Sequence, residues 1–385
     1  MAALAGHGGE SRVILTSRIG PAGLGDSVLA LPVHALDLAE SAALARELPG
    51  LRGLLRADAG PVRDLDEATV AADRDLVRRV LHVVQGHPKL MELADAAATA
   101  GSARLVAQLD AAETAAGGQV LDAFFRDGTT ALDAAQFLDA LAAWTTTTLA
   151  AIPSPARLMA QFLACLEDDD RQSWIIDATW ADLWHRLAQP GDPPDPAPLL
   201  AALTAAALVQ PDPPPGEDQD DTAPVAYRMH PSIAQAIRAT APGVQAATDT
   251  ELAATWRQLF DQASQQQGGE AGQAIINAGL AAVPYLLRLQ DWRTAGFLLD
   301  RALIREQSPA TIQGALPALR AIADATQAPE ALASLARNLA RVNPAEAETP
   351  PTQFTRPSSS RRELQAGLQR RRGPEPSARG YRPSA

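Results

Sequence analysis

Apolar side chains recur at every third or fourth position along most of this 385-residue chain. Leu158, Phe162 and Leu166 show the spacing, which places all three on one stripe of a helix. Because strands alternate with a period of two instead, the pattern restricts the chain to a mainly α-helical fold. The helices predicted before residue 170 cover residues 36–55, 64–98, 102–111, 124–148 and 156–166, with a break at Gly86-His87-Pro88.

One segment near the N-terminus departs from the helical pattern. Residues 12–18 are short, β-branched and followed by the turn formers Gly20-Pro21, which is typical of a buried strand. A strand without neighbours leaves backbone groups unpaired. We therefore expect residues 11–17 to form an exposed edge that promotes self-association.

A mixed pattern follows between residues 151 and 241. Two stretches rich in Pro and Asp, at 190–198 and 211–224, flank a short apolar helix predicted at 199–208. A short strand at 225–229 and another helix come next. This order predicts a winged-helix domain, with the acidic loop 211–222 as an enlarged wing.

From residue 252 onward the sequence is purely helical, with a period of about 35 residues. The first unit has a helix with one face formed by Trp292, Ala295, Leu299, Ala302 and Leu303. The second unit repeats this pattern less clearly, with Ala331, Leu335 and Asn338. Ala295 and Ala302 are small enough to let a neighbouring helix approach closely. Pro309 and Pro344 are predicted to close the two units. Such a period is typical of helical-hairpin repeats of the tetratricopeptide type.

The charge balance reverses in the C-terminal tail. Residues 349–385 contain eight arginines and two acidic residues, whereas the whole chain carries 33 basic and 45 acidic side chains and a net charge of −12. The tail is also rich in Pro, Ser and Gly, so residues 346–385 are predicted to be a disordered basic tail. The acidic body argues against a nucleic-acid partner.

The sequence also limits the cellular location of the protein and the kinds of catalytic or metal site that it could contain. No basic segment followed by an apolar run opens the chain, and no stretch reaches about 18 apolar residues, so we expect a cytoplasmic protein without a membrane partner. The one cysteine, Cys165, excludes a disulfide framework and a four-cysteine zinc site. Lys89 is the only lysine and follows no Gly-x-x-x-x-Gly, so the chain has no phosphate-binding P-loop. We expect no catalytic residue, no metal site and no enzymatic activity of the chain alone.

Three short motifs occur in a particular order. They are Val13-Ile14-Leu15-Thr16-Ser17-Arg18, Gln85-Gly86-His87-Pro88-Lys89-Leu90 and Tyr227-Arg228-Met229-His230-Pro231. The first resembles the sensor strand of the STAND signalling ATPases, the class that includes NB-ARC proteins. The second is similar to the Gly-x-Pro-Leu element of that family, and the third to its Met-His-Asp element.

The resemblance implies a role for one residue of each motif. Arg18 would reach the terminal phosphate of a nucleotide, Pro88 would pack on adenine, and His230 would contact the β-phosphate of ADP. The chain departs from the family at two of these motifs, since Lys89 replaces the common leucine and Pro231 stands where aspartate is frequent.

The resemblance also implies a domain layout. It assigns residues 1–60 to the end of a nucleotide-binding α/β domain, 61–150 to a helical domain, 151–241 to the winged helix, 242–345 to tetratricopeptide-like repeats and 346–385 to the basic tail. The chain would then be the C-terminal portion of such a protein, arising from a truncated gene, a split gene or an alternative start.

We therefore expect part of a nucleotide-gated switch that binds a protein partner through its repeats. ATP and ADP are the cofactors of the parent family, and we expect neither to bind tightly to this chain alone. Two alternatives from other classes stay open: a nucleotide-independent α-solenoid scaffold, and a DNA-binding regulator that uses the winged helix.

Overall fold

The computed structural model describes residues 34–55, 67–116, 122–128, 130, 132, 134–212, 225–266 and 268–343. The strand predicted at 12–18, which includes Arg18, lies outside the described residues, and so do the basic tail and Pro344. The described part of the chain is mainly helical, with a small two-stranded sheet. The chain divides into two compact units between Thr248 and Asp249, here called unit 1 and unit 2.

The first part of unit 1 is a set of packed helices. They are α1 (Leu38–Glu47), α2 (Pro49–Leu55), α3 (Glu67–Val84), α4 (Pro88–Ala100), α5 (Ser102–Ala116), α6 (Asp122–Asp127) and α7 (Ala134–Ala151). Helix α5 packs against α7, and α4 packs against α2 and α5. Trp144, Leu105 and Leu109 are fully buried in this core.

The second part of unit 1 combines helices with the sheet. It contains α8 (Ser154–Cys165), a 3₁₀ turn (Asp168–Asp170), α9 (Ser173–Arg186), α10 (Pro196–Ala205), β1 (Gln210–Asp212), β2 (Ala226–Arg228) and α11 (Pro231–Thr240). Strands β1 and β2 are antiparallel, with Gln210 opposite Arg228 and Asp212 opposite Ala226. Helix α11 packs on both α7 and α8 and so joins the two parts of the unit.

Helix α12 (Pro242–Gln265) spans the division, and unit 2 continues as consecutive helices. They are α13 (Gly269–Arg288), α14 (Trp292–Arg305), α15 (Pro309–Thr326) and α16 (Pro329–Val342). From α13 onward each helix packs on the next. A Cβ added to Gly279 of α13 would lie 3.1 Å from the Cβ of Ala302, so two small residues allow the close approach of α13 and α14.

The structure corrects four of the expected boundaries. The helix expected at 36–55 is interrupted at Leu48, which is extended because proline at position 49 disfavours helical backbone before it. The helix expected at 124–148 is two helices, α6 and α7. The helix expected at 199–208 begins at Pro196 and ends at Ala205. Pro309 begins α15 instead of closing a repeat, because the first turn of a helix tolerates the missing N–H of proline.

Strand β1 was absent from the sequence prediction, because only three residues form it and one of them is a proline. Among the described residues, no helix is long and apolar enough to cross a bilayer.

Candidate functional site

The turn before α4 holds the second motif in a fixed conformation. Gly86 has φ +79°, and a Cβ there would lie 1.8 Å from the carbonyl oxygen of Leu36, so only glycine fits. The Gly86 carbonyl accepts a hydrogen bond from the Leu36 N–H (2.8 Å). The side-chain oxygen of buried Gln85 accepts hydrogen bonds from the Thr130 hydroxyl (3.2 Å) and the Leu132 N–H (3.3 Å). Contacts with several chain segments therefore position Pro88 at the first turn of α4.

His87 precedes Pro88 and is the N-cap residue of α4, but its side chain makes no capping hydrogen bond. Its ring instead stacks on Phe137 of α7, with centroids 4.2 Å apart and an interplanar angle of 22°. The Nε2 atom is buried without a hydrogen-bond partner among the described residues. Burial lowers the pKa of His87, so the ring is neutral at pH 7.

His230 occupies the equivalent position at the start of α11 and does cap its helix. Its Nδ1 accepts the N–H of Ser232 at 3.2 Å. Because an imidazole nitrogen that accepts a hydrogen bond carries no proton, the neutral ring must carry its proton on Nε2. In the neutral ring, Nε2 is therefore the donor nitrogen of His230.

Pro88 and His230 line the same cleft, although they lie in different motifs far apart in the sequence. The cleft has a volume of about 560 Å³. Its wall is formed by residues of α4, α7, β1 and β2 and by the residues that join β2 to α11. These are His87, Pro88, Lys89, Glu92, Phe137, Gln210, Arg228, Met229 and His230. The third predicted site residue, Arg18, lies outside the described residues, so two of the three are brought together and the third is not tested.

The two cations of the cleft each have a carboxylate partner. Lys89 Nζ lies 2.8 Å from Glu92 Oε2, and an Arg228 guanidinium nitrogen lies 2.6 Å from Asp212 Oδ2. Gln210 Nε2 also donates to Glu92 Oε2, at 3.0 Å. The charges around the cleft are thus close to balanced, and an anion entering the cleft would compete with these carboxylates.

Sequence reasoning missed several residues of the cleft. Gln210 is on β1, which the sequence did not predict, and Phe137 and Glu92 gave no signal beyond an ordinary helical pattern. Lys89 was noted as the only lysine and as a departure from the family motif, but it was given no role in a site. Arg228 was part of the third motif but was given no role in it.

A second cleft in unit 1 lies on the other side of β2. It also has a volume of about 560 Å³ and lies between α9, α10 and the strands, with Ser173, Asp177, Leu200 and Tyr227 in its wall. Tyr227 and Arg228 face different clefts because successive side chains of a strand point to opposite faces. Burial, and secondarily the charge of Asp177, raises the pKa of Tyr227.

No family model, curated protein or solved structure matches this chain. The features of this chain that bear on function are therefore the cleft itself and the two motifs that the fold brings to it.

Proposed function

We propose that the chain is part of a nucleotide-gated signalling switch of the STAND type, with a nucleoside diphosphate site in the cleft of unit 1 and a protein-binding surface in unit 2. The observation that carries the proposal is that Pro88 and His230 line one cleft. The resemblance gave these two residues neighbouring roles on one nucleotide, and residues with such roles must lie around a shared space.

The chemistry of the cleft suits an adenine nucleotide. Its volume falls in the usual range for small-ligand sites, about 300–1,000 Å³. Pro88 is exposed and offers an apolar ring surface for the base, beside the stacked rings of His87 and Phe137. The Nε2 proton of His230 can be donated to a phosphate oxygen, and such a hydrogen bond is strengthened by the charge of the phosphate.

The order of elements in the second part of unit 1 supports a winged-helix domain. The Ser173 N–H donates to the Val225 carbonyl (2.8 Å), the Tyr227 N–H to the Arg171 carbonyl (2.7 Å), and Gln172 bridges Ala226. The segment before α9 thereby pairs with β2 on the side away from β1, as the first strand of a winged helix does. In the proposed switch, ADP holds this domain against the nucleotide-binding core, and exchange for ATP frees it for self-assembly.

The helices of unit 2 support a repeat array that binds a protein partner. Consecutive helices joined by short loops pack as hairpins, which is how tetratricopeptide-type repeats stack. Helix α14 exposes two large apolar side chains, Phe297 and Ile304, whose exposed fractions are 52% and 48%. The two residues are seven positions apart and so lie on one face of the helix, where contiguous exposed apolar surface would favour a protein partner.

The test is binding of ADP and adenosine, measured by ligand-observed NMR on the purified chain. We expect weak binding of ADP, with a Kd of about 1 mM, because the strongest phosphate ligands of this class are in the P-loop that this sequence lacks. Pro88→Ala should weaken both ligands about five-fold through loss of ring contact. His230→Ala should weaken ADP about ten-fold and leave adenosine unchanged, because adenosine has no phosphate.

Two matched variants control for folding. Pro309 begins α15 in the same helical position as Pro88, and His185 is an exposed histidine at the end of α9, so Pro309→Ala and His185→Ala should leave both affinities unchanged. Absence of binding at millimolar ADP, or equal losses in all four variants, would contradict the proposed site. Micromolar binding of ATP would contradict the expectation that the chain alone binds no nucleotide tightly. Hydrolysis of ATP would contradict the expectation that the chain alone is not an enzyme.

In the scaffold alternative, the protein binds its partner through the surface of unit 2, and the cleft binds no nucleotide. This alternative predicts that charge-changing substitutions of Arg18 and His230 leave partner binding unaffected, whereas Phe297→Ser abolishes it. The DNA-binding alternative has less support, because α10, which would be the recognition helix, carries no lysine or arginine.

A further inference from the structure

Lys89 is the only lysine of the chain and lies in the wall of the cleft. Its side chain is only 14% exposed, and its Nζ atom lies 2.8 Å from Glu92 Oε2. Proteins rarely enclose a lysine to this extent without an anionic partner. The family that the motif resembles has leucine here, so the resemblance assigns this charge no role.

Glu92 is the only carboxylate in the described wall of the cleft. One of its oxygens, Oε2, accepts from two sides: from Lys89 Nζ, one turn earlier on α4, and from Gln210 Nε2 on β1, at 3.0 Å. The carboxylate therefore ties α4 to β1. Its side chain is 36% exposed, so it can turn outward into solvent without crossing the core.

A carboxylate and a phosphate cannot both be close to Lys89 without cost. Two like charges about 4 Å apart repel each other, and the repulsion is stronger in a partly enclosed cleft than in water. Phosphate oxygens are acceptors of the same kind as carboxylate oxygens, so a phosphate can take the position of Glu92 beside the ammonium group.

We propose that Lys89 binds a phosphate of the ligand in this cleft, and that Glu92 occupies that position when the cleft is empty. The proposal rests on the proposed nucleotide site and adds to it an exchange of anions. When the phosphate arrives, Glu92 turns away, and its hydrogen bond to Gln210 is released. Ligand occupancy is in this way transmitted from α4 to β1.

The test compares ADP with adenosine in wild type, Glu92→Gln and Lys89→Met. Glutamine keeps the acceptor oxygen for Lys89 and Gln210 and removes only the charge, so ADP should bind about five-fold more tightly. Lys89→Met keeps the length of the aliphatic side chain, and ADP should bind about five-fold more weakly. Adenosine should bind all three proteins equally. Glu113→Gln, which removes a carboxylate paired with Arg79 outside the cleft, controls for net charge and should change nothing.

The single lysine allows a second measurement. Reductive ¹³C-methylation keeps the charge of the ammonium group and labels only Lys89 and the N-terminal amine. The Lys89 signal should shift on addition of ADP or inorganic pyrophosphate and stay unchanged with adenosine.

The outcomes separate this inference from the proposed function. Equal ADP affinity in wild type, Glu92→Gln and Lys89→Met, together with losses in Pro88→Ala and His230→Ala, would overturn the exchange and leave the nucleotide site standing. If neither wild type nor Glu92→Gln binds ADP or adenosine, both the anion exchange and the proposed nucleotide site are overturned. An unshifted Lys89 signal at saturating ADP would also overturn the exchange.

Discussion

His87 and His230 share the dipeptide His-Pro, but their imidazole rings make different contacts. Each precedes a proline, each is the N-cap residue of a helix, and both line one cleft. His230 accepts the N–H of Ser232 and so satisfies the end of α11. His87 makes no such bond; its ring stacks on Phe137, and its Nε2 atom has no hydrogen-bond partner among the described residues.

The difference shows that a His-Pro dipeptide fixes where a helix begins. It does not determine whether the imidazole caps the helix or packs on another side chain. Capping fixes the tautomer of His230, with the proton on Nε2, where it can be donated to an anion. Stacking and burial keep His87 neutral, as one wall of the space proposed for a base. Two copies of one dipeptide can thus supply the polar end and the apolar end of one site.

The largest loss of stability should come from a substitution in the turn before His87, since His230 has no equivalent turn. Gly86→Ala should destabilise unit 1 by about 3 kcal/mol, because the added Cβ meets the Leu36 carbonyl in a backbone that disfavours side chains. Urea denaturation followed by circular dichroism measures the change. Gly191→Ala is the matched control, since Gly191 has φ +75° with open space around it, and should cost about 1 kcal/mol. Equal costs at the two positions would mean that the clash is relieved by a small shift.

Removing each imidazole should separate stacking from capping. His87→Ala should cost about 2 kcal/mol through lost contact with Phe137. His230→Ala should cost about 1 kcal/mol, the usual value for a lost helix cap. His230→Asn restores a capping acceptor and should recover most of that loss, whereas His87→Asn should not. Recovery at both positions in the same denaturation assay would show that His87 acts as a cap after all.

The smallest effect is the dependence of stability on pH. Burial lowers the pKa of His87 below the usual value of 6.5, so the unfolded chain takes up a proton at this residue before the folded chain does. The free energy of unfolding should therefore fall as the pH drops below 6.5. His87→Phe keeps the ring stack and removes the titration, so its stability should fall less over the same range than that of wild type. Parallel curves for the two proteins would contradict a lowered pKa.

The sequence predicted the helices well where periodicity was strong. Its motifs also named Pro88 and His230, which the fold brings to one cleft. The breaks at Gly86 and Pro88 were visible because glycine and proline act locally. Strand β1 was not visible, since Gln210-Pro211-Asp212 has no strand propensity and is held by its partner strand. The stack of His87 on Phe137 and the bridge from Glu92 to Gln210 depend on distant elements meeting, which no local pattern encodes.

The central claim, that the two His-Pro helix starts share one nucleotide, is tested most directly by NMR of the chain with ¹⁵N-labelled histidine. The chain has six histidines, and the signals of His87 and His230 can be assigned from the variants. On titration with ADP, both signals should shift along one saturation curve, while the signal of His185 stays in place. If the signals of His87 and His230 do not shift, or follow different saturation curves, the two residues do not share a ligand, which contradicts the proposed nucleotide site.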